Sequence, residues 1–220
     1  MNRTAGILLP ITSLPSKYGI GCFSKSAYDF ADWLKKAGQT YWQILPLGPT
    51  SYGDSPYQSF STFAGNPYFI SLEALIDEGV LTEEECENAD FGTIACDINY
   101  EKMYISRYPL LHKAYERSKI AENADYQKFI SENSWWLSDY ALFMAVKDRF
   151  DGIPWNEWPE DIRLRYEYSM DYYRRELYFE IEFQQYMQFK FFEQWNALKA
   201  YVNGLGIRIV GDIPIYVAMD

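Results

Sequence analysis

The sequence is poor in histidine and cysteine, the residues on which many metal and nucleophilic sites depend. His112 is the single histidine among 220 residues, so this chain cannot build a catalytic triad or a metal site that needs two imidazoles. Cys22, Cys86 and Cys96 show no Cys-x-x-Cys spacing, which excludes the common zinc and redox motifs. We therefore expect no metal and no other cofactor.

Long apolar runs and an excess of positive charge are also missing. No run approaches the ~18 apolar residues of a membrane span, and Pro10 cuts short the apolar run that a signal peptide would need. Free thiols without such a signal predict a cytoplasmic protein. With 20 Lys and Arg against 31 Asp and Glu, the formal net charge is -11, which argues against a nucleic-acid partner and against an anionic membrane surface.

Aromatic residues, in contrast, are abundant: 20 Tyr, 14 Phe and 7 Trp. Most of them are expected to fill a core. Aromatic rings also offer flat apolar faces to sugars, which are neutral ligands, so the composition is compatible with a glycan ligand without requiring one.

The beginning of the chain has the pattern of a strand, a helix and a second strand. An apolar run over 5–9 and residues 41–45 predict the strands, and 24–37 predicts the helix, with Trp33 on its inner face. This order is typical of a βαβ unit in a parallel sheet. Residues 48–69 predict a long loop at the carboxyl end of the second strand, where α/β folds bind ligands.

A helical region separates the second strand from a third at 207–210. The sequence predicts helices over 134–150 and about 171–203. Thr82 and Glu85 have the spacing of a capping box, and the spacing of Tyr100, Tyr104 and Tyr108 places them on one helix face. A plain crossover needs only a dozen or more residues. We therefore predict an α/β fold with a large inserted helical subdomain over 71–178, while 1–70 and 179–220 carry about three strands.

Three parallel strands with exposed edges do not complete an α/β domain. The sequence is therefore expected to be the N-terminal part of a longer protein. The alternative is a small, complete α/β domain covered by helices.

Two places combine residue types suited to carbohydrate chemistry. The string Tyr52–Ser61 mixes hydroxyls, an amide, a carboxylate and aromatic rings, although Gly-Asp and Ser-Pro are also ordinary turn residues. Asp212 follows the third strand directly, which is the catalytic position of barrel enzymes and equally a place for a structural cap. Glycoside chemistry needs two carboxyl groups, and Asp54 and Asp212 are the candidates, although nothing in the spacing pairs them.

Several longer strings resemble one family. In the order of that family, the chain is similar to amylomaltases, the 4-alpha-glucanotransferases or disproportionating enzymes of glycoside hydrolase family 77, at Gly6–Pro15, Tyr41–Pro49, Tyr52–Ser61, Phe63–Tyr68, Trp135–Ala145 and Gly211–Ala218.

The resemblance implies that this chain is the N-terminal part of a (β/α)8 TIM barrel with an inserted helical subdomain. It also implies roles for five residues in substrate binding. Tyr57 matches the tyrosine that stacks under the sugar at the cleavage point, Ser55 lines the same subsite, and Asp212 helps to orient the catalytic centre. Tyr52 and Tyr100 match a second glucan site away from the cleavage point.

The implied activity is the transfer of alpha-1,4-glucan segments by a retaining double displacement. The implied partners are maltooligosaccharides, glucans derived from starch or glycogen, and glucose as an acceptor. The family's nucleophile and acid/base carboxyl groups are expected beyond residue 220, so we assign no catalytic residue to this chain and expect the isolated chain to be inactive. The alternative is a non-catalytic glucan-binding module, and a hydrolytic amylase is a third, less favoured interpretation.

Overall fold

Three short parallel strands form the sheet that the sequence predicts. The computed structural model describes residues 3–50, 53–92 and 97–217. In it, β1 (Gly6–Leu8) pairs with β2 (Tyr41–Gln43), and β2 pairs in turn with a strand late in the chain, Arg208–Val210. The sheet is open and β2 is its central strand.

Helix α1 (Lys25–Lys36) links β1 to β2 and completes the predicted βαβ unit. Ala27, Ala31 and Leu34 recur at helical spacing and are buried on its inner face. The prediction for Trp33 is wrong, because its side chain is 71% exposed. Trp33 lies two residues from Ala31, about 200° around the helix, and therefore points away from the sheet.

Most of the remaining chain is helical. The helices are α2 (Leu72–Asp77), α3 (Glu83–Glu87), α4 (Tyr100–Ser118), α5 (Ala124–Arg149), α6 (Glu160–Arg163), α7 (Glu167–Glu176) and α8 (Tyr178–Gly204). The capping box at Thr82 and Glu85 is present at the start of α3, as predicted. These helices all lie between β2 and the Arg208–Val210 strand in the sequence.

Two helix boundaries differ from the prediction. Helix α5 starts at Ala124 and not near residue 134, because the Asn123 side chain accepts a hydrogen bond from the N–H of Tyr126 and caps the helix earlier. The single helix expected over about 171–203 is divided into α7 and α8 at Leu177, whose backbone leaves the helical region (φ -106°, ψ 29°). The Leu177 side chain is buried in a small core inside the helical region, so burying it compensates for the break.

The interval 48–69 also contains regular structure, so its prediction as one continuous loop is partly wrong. Residues Gln58–Ser59 form β3, which pairs in parallel with the last strand, Tyr216–Val217. In chain order the Arg208–Val210 strand is β4 and Tyr216–Val217 is β5. A strand of two residues leaves no recognisable pattern in a sequence, because the alternation of apolar and polar residues is read over about 4–8 residues.

Helix α8 holds the segment that follows β3 through two buried glutamines. The Gln188 amide donates to the carbonyl of Gly65 at 2.9 Å and accepts from the N–H of Gly65 at 2.8 Å. Gln194 accepts from the N–H of Ser71 at 2.7 Å in the same manner. Since these backbone groups are buried, each amide takes the place of a neighbouring strand. The segment from Gly65 to Ser71 is therefore fixed against α8.

Candidate functional site

The structure brings together two of the predicted substrate-binding residues, Tyr57 and Asp212. The Tyr57 hydroxyl donates a hydrogen bond to Oδ2 of Asp212 at 2.9 Å. The backbone supports this approach, because the N–H of Tyr216 donates to the carbonyl of Tyr57 at 3.1 Å next to the β3–β5 pair. The hydrogen bond with Asp212, followed by burial, raises the pKa of Tyr57, so its hydroxyl stays protonated and remains a donor near neutral pH.

Asp212 lies in an exposed turn just beyond β4. Its second oxygen, Oδ1, accepts a hydrogen bond from the N–H of Ile213 at 2.8 Å. The residues that follow lead into β5 and not into a helix, so Asp212 is not a helix cap. Because one carboxylate oxygen is held by the backbone and the other by Tyr57, the direction of the Asp212 side chain is fixed.

Ser55 belongs to the turn that presents Tyr57. Its Oγ accepts from the N–H of Tyr57 at 3.4 Å, and its carbonyl accepts from the N–H of Gln58 at 3.1 Å. Further along the loop, the buried Ser59 hydroxyl donates to the carbonyl of Pro49 at 2.7 Å. These contacts close the loop on itself and place Ser55 beside Tyr57.

Tyr100, predicted for a second glucan site, lines a groove of about 1110 Å³. Tyr100 is the first residue of α4, and its ring lies 6.2 Å from the ring of Tyr68, measured between centroids. The groove runs between the loop that follows β2 and the helices α4 and α5. The predicted partner of Tyr100, Tyr52, lies outside the described residues.

Asp54 belongs to this groove and is not bonded to Tyr57 as Asp212 is. It lines the groove together with Tyr68 and Tyr100, in a left-handed backbone conformation (φ 55°). Burial raises the pKa of the Asp54 carboxyl. Burial, followed by the nearby Asp54 carboxylate, raises the pKa of Tyr68 to about 12. The two candidate carboxylates thus lie in different places, Asp54 in the groove and Asp212 beside the Tyr57 hydroxyl.

Sequence reasoning missed several groove residues. The sequence predicts a loop at Tyr68 and gives no reason to select Tyr140, Asp148 or Gln184, although all four line the groove. The one available signal was the spacing of Tyr100, Tyr104 and Tyr108, which does place three rings on one side of α4. Tyr140 and Asp148 lie on α5, whose sequence shows no simple pattern of polar and apolar residues. Their common position on the groove wall is therefore apparent only in the folded chain, where α5 packs on α8.

Within residues 3–50, 53–92 and 97–217, no group of three His, Cys, Asp or Glu side chains could hold a metal ion. No helix of those ranges has the length and apolarity to span a bilayer.

Comparison with known sequences supports the resemblance. The family model described as 4-alpha-glucanotransferase, of glycoside hydrolase family 77, matches residues 9–220. A 4-alpha-glucanotransferase of Streptococcus pneumoniae is 49% identical over 220 residues, which cover 99% of this chain and 44% of the relative. The 4-alpha-glucanotransferase of Thermus thermophilus is 46% identical and is covered to 43%. The chain therefore spans less than half the length of these relatives.

Comparison with solved structures agrees. The amylomaltase from Streptococcus agalactiae, solved in complex with acarbose, superposes with a TM-score of 0.93 at 40% identity, over 99% of this chain and 44% of that one. The amylomaltase from Corynebacterium glutamicum shares the fold, with a TM-score of 0.68 at 18% identity, over 97% of this chain and 30% of that one. The three-stranded open sheet and its helices thus match part of an amylomaltase.

Proposed function

The chain belongs to the 4-alpha-glucanotransferases of glycoside hydrolase family 77, and from this membership we propose that it is the N-terminal portion of an enzyme that transfers alpha-1,4-glucan segments. The donors would be maltooligosaccharides and glucans derived from starch or glycogen, with other glucans or glucose as acceptors. We place this reaction in the cytoplasm. The proposed division is 1–70 and 179–220 for the first part of a (β/α)8 barrel and 71–178 for the inserted helical subdomain.

The observation that carries the proposal is the hydrogen bond between Tyr57 and Asp212. It joins a loop after β2 to a turn after β4, at the carboxyl ends of two neighbouring parallel strands. Barrel enzymes assemble their active sites at that end of the strands. A ring face, an oriented carboxylate and the Ser55 hydroxyl form half of a site that suits one sugar unit.

In a retaining double displacement, a carboxylate attacks the anomeric carbon while an acid protonates the leaving glucan oxygen. The acceptor hydroxyl then displaces the enzyme and returns its proton to the same acid/base residue. Neither of these two carboxyl groups is assigned to residues 1–220. Tyr57 and Ser55 would bind the sugar, and Asp212 would accept hydrogen bonds from it or hold a cationic side chain supplied by the remainder of the enzyme.

The test is a chimera in which this chain replaces the aligned region, 44%, of the Streptococcus pneumoniae relative. We expect the chimera to convert maltotriose into glucose and longer maltodextrins, and the 220-residue chain alone to give no more product than a boiled control. A folded chimera without transfer would overturn the proposal. Turnover by the chain alone would show that the assignment of the catalytic carboxyl groups is wrong.

A non-catalytic glucan-binding module is the second candidate. The observation in its favour is the aromatic groove, which is lined by described residues of this chain alone. Binding of maltooligosaccharides by the chain, combined with an inactive chimera, would favour this candidate over the enzyme.

Tyr57 tests the cleavage-point subsite in the chimera. We expect Tyr57→Ala to cost roughly 1–3 kcal/mol of transition-state stabilisation, by analogy with ring stacking on other flat ligands. Tyr57→Phe keeps the ring and loses only the hydrogen bond to Asp212, so a smaller loss of about 1 kcal/mol is expected. The measurement is kcat/KM on maltotriose. Equal losses for the two variants would show that the hydroxyl, and not the ring, carries the effect.

A further inference from the structure

The groove that contains Tyr100 continues well beyond it. Its far part, here called the distal half, is formed by helices α4, α5 and α8. The residues of the distal half are Tyr104, Ile105, Tyr108, Tyr140, Asp148 and Gln184. None of them belongs to the second glucan site that the resemblance assigns to Tyr52 and Tyr100.

The tyrosines of α4 form an aromatic strip along the groove. Tyr100, Tyr104 and Tyr108 follow each other at intervals of four residues, so each advances ~6 Å along the helix. The rings of Tyr104 and Tyr108 lie 4.9 Å apart, and Tyr68 joins Tyr108 to Tyr100 with centroid distances of 6.3 and 6.2 Å. Tyr104 is 57% exposed, so its ring can be covered by a ligand.

Hydrogen-bonding groups accompany the rings. On the facing wall, the carboxylate of Asp148 accepts from the amide of Gln184 at 3.1 Å and has further acceptor capacity.

Asp148 also lies near the tyrosine hydroxyls. Burial is the main cause that raises the pKa of Tyr104 and of Tyr140, and the negative charge of Asp148 is the second. The distal half therefore offers phenolic donors beside the carboxylate of Asp148 and the side-chain amide of Gln184. Asp54, Glu101 and Asp148 line the groove with Lys147, and this surplus of negative charge disfavours phosphorylated or acidic ligands.

Aromatic faces flanked by phenolic hydroxyls, an amide and a carboxylate suit a neutral polyhydroxyl chain. We propose that the distal half binds additional glucose units of a long alpha-1,4-glucan whose first units lie at Tyr100, so that the groove distinguishes long chains from short ones. The inference rests on the proposed function, because it takes the ligand class from it. It adds Tyr104 and Asp148 as residues that determine the preference for chain length.

The test compares maltotriose with maltoheptaose, by calorimetric titration of the 220-residue chain and of the chimera. We expect Tyr104→Ala to weaken maltoheptaose binding roughly tenfold, by analogy with the loss of one stacked ring, and to leave maltotriose binding within about twofold. Asp148→Asn removes the charge from the opposite wall and should act in the same direction. Tyr100→Ala should weaken both sugars, because both would occupy the near end.

The matched control is Tyr168→Ala, which removes an exposed tyrosine of α7 that does not line the groove. It should change neither affinity. Asp148→Asn decides the question if Tyr104→Ala fails to fold. Equal weakening of both sugars, or no change, in a folded Tyr104→Ala or Asp148→Asn variant would overturn the inference while leaving the proposed function intact. If the unmodified chimera transfers no glucan and binds neither sugar, the proposed function fails as well.

Discussion

The chimera that carries Asp212→Asn is expected to lose on the order of 10²-fold in kcat/KM on maltotriose, or about 2.7 kcal/mol of transition-state stabilisation. Its melting temperature should stay close to that of the unmodified chimera. Asparagine keeps the size of the side chain, and its carbonyl can still accept the hydrogen bond of Tyr57 or of Ile213. The substitution therefore removes the negative charge and little else.

The structure explains why the charge should matter. Tyr57 and the N–H of Ile213 each hold one carboxylate oxygen, so the negative charge stands in a fixed place at the carboxyl end of the sheet. A preorganised charge of this kind stabilises positive charge that develops in the transition state, or a cationic side chain nearby. Removing it affects the reaction more than it affects the exposed turn that carries it.

A double-mutant cycle with Tyr57→Phe serves as the control. Because the two side chains are in direct contact, the losses of Tyr57→Phe and Asp212→Asn should add up to more than the loss of the double variant. Because asparagine can still accept the Tyr57 hydrogen bond, strict additivity would mean that the charge of Asp212 acts independently of the Tyr57 hydroxyl. Near-normal activity of Asp212→Asn would leave Asp212 a structural turn residue, and a lowered melting temperature would make it a folding residue.

Gly65→Ala is expected to have the largest effect on stability, roughly 3 kcal/mol of unfolding free energy. A Cβ atom at Gly65 would lie 2.2–2.4 Å from three ring carbons of Phe191. That ring is 2% exposed and packs among Phe23, Phe69 and Phe192, so it has no free space into which to move. Thermal unfolding of the chain should show a midpoint lower by roughly 6–12 °C.

The matched control is Gly204→Ala, at the end of α8. Apart from its chain neighbours and the adjacent helix backbone, no atom lies within 4 Å of the Cβ position there, and the residue is helical. Alanine loses less backbone freedom than glycine on folding, so a gain of about 0.4–1 kcal/mol is expected. If Gly65→Ala were equally harmless, then the contact between α8 and the segment from Gly65 to Ser71 would be looser than the hydrogen bonds of Gln188 indicate.

Local patterns were sufficient for the parts of the fold that depend on neighbouring residues. The βαβ unit, the capping box of α3 and the position of Asp212 beyond β4 were all predicted, because each depends on a few consecutive residues. The break at Leu177 was missed because the apolar pattern continues through it. The early start of α5 depends on one capping side chain, Asn123.

The contacts of the candidate site could not be predicted. The family resemblance selects Tyr57 and Asp212, but no sequence pattern indicates that their side chains are 2.9 Å apart. That contact depends on the β3–β5 pair, which has two residues in each strand. The distal half of the groove is even harder to predict from the sequence, because its walls come from three helices that meet only in the folded chain.

The order of the strands also has a kinetic consequence. β1 and β2 are joined by one helix, whereas β2 pairs with β4 only after the chain has passed through α2 to α8. Closing a long loop costs conformational entropy that grows slowly with its length, by about 0.6 kcal/mol for each doubling. Prior folding of these helices shortens the effective loop, since it brings the end of α8 close to α1, where Tyr201 donates a hydrogen bond to Asp32. We therefore expect β4 to join the sheet late in folding, after α5 and α8 have packed, so that the turn with Asp212 is among the last parts of the site to form.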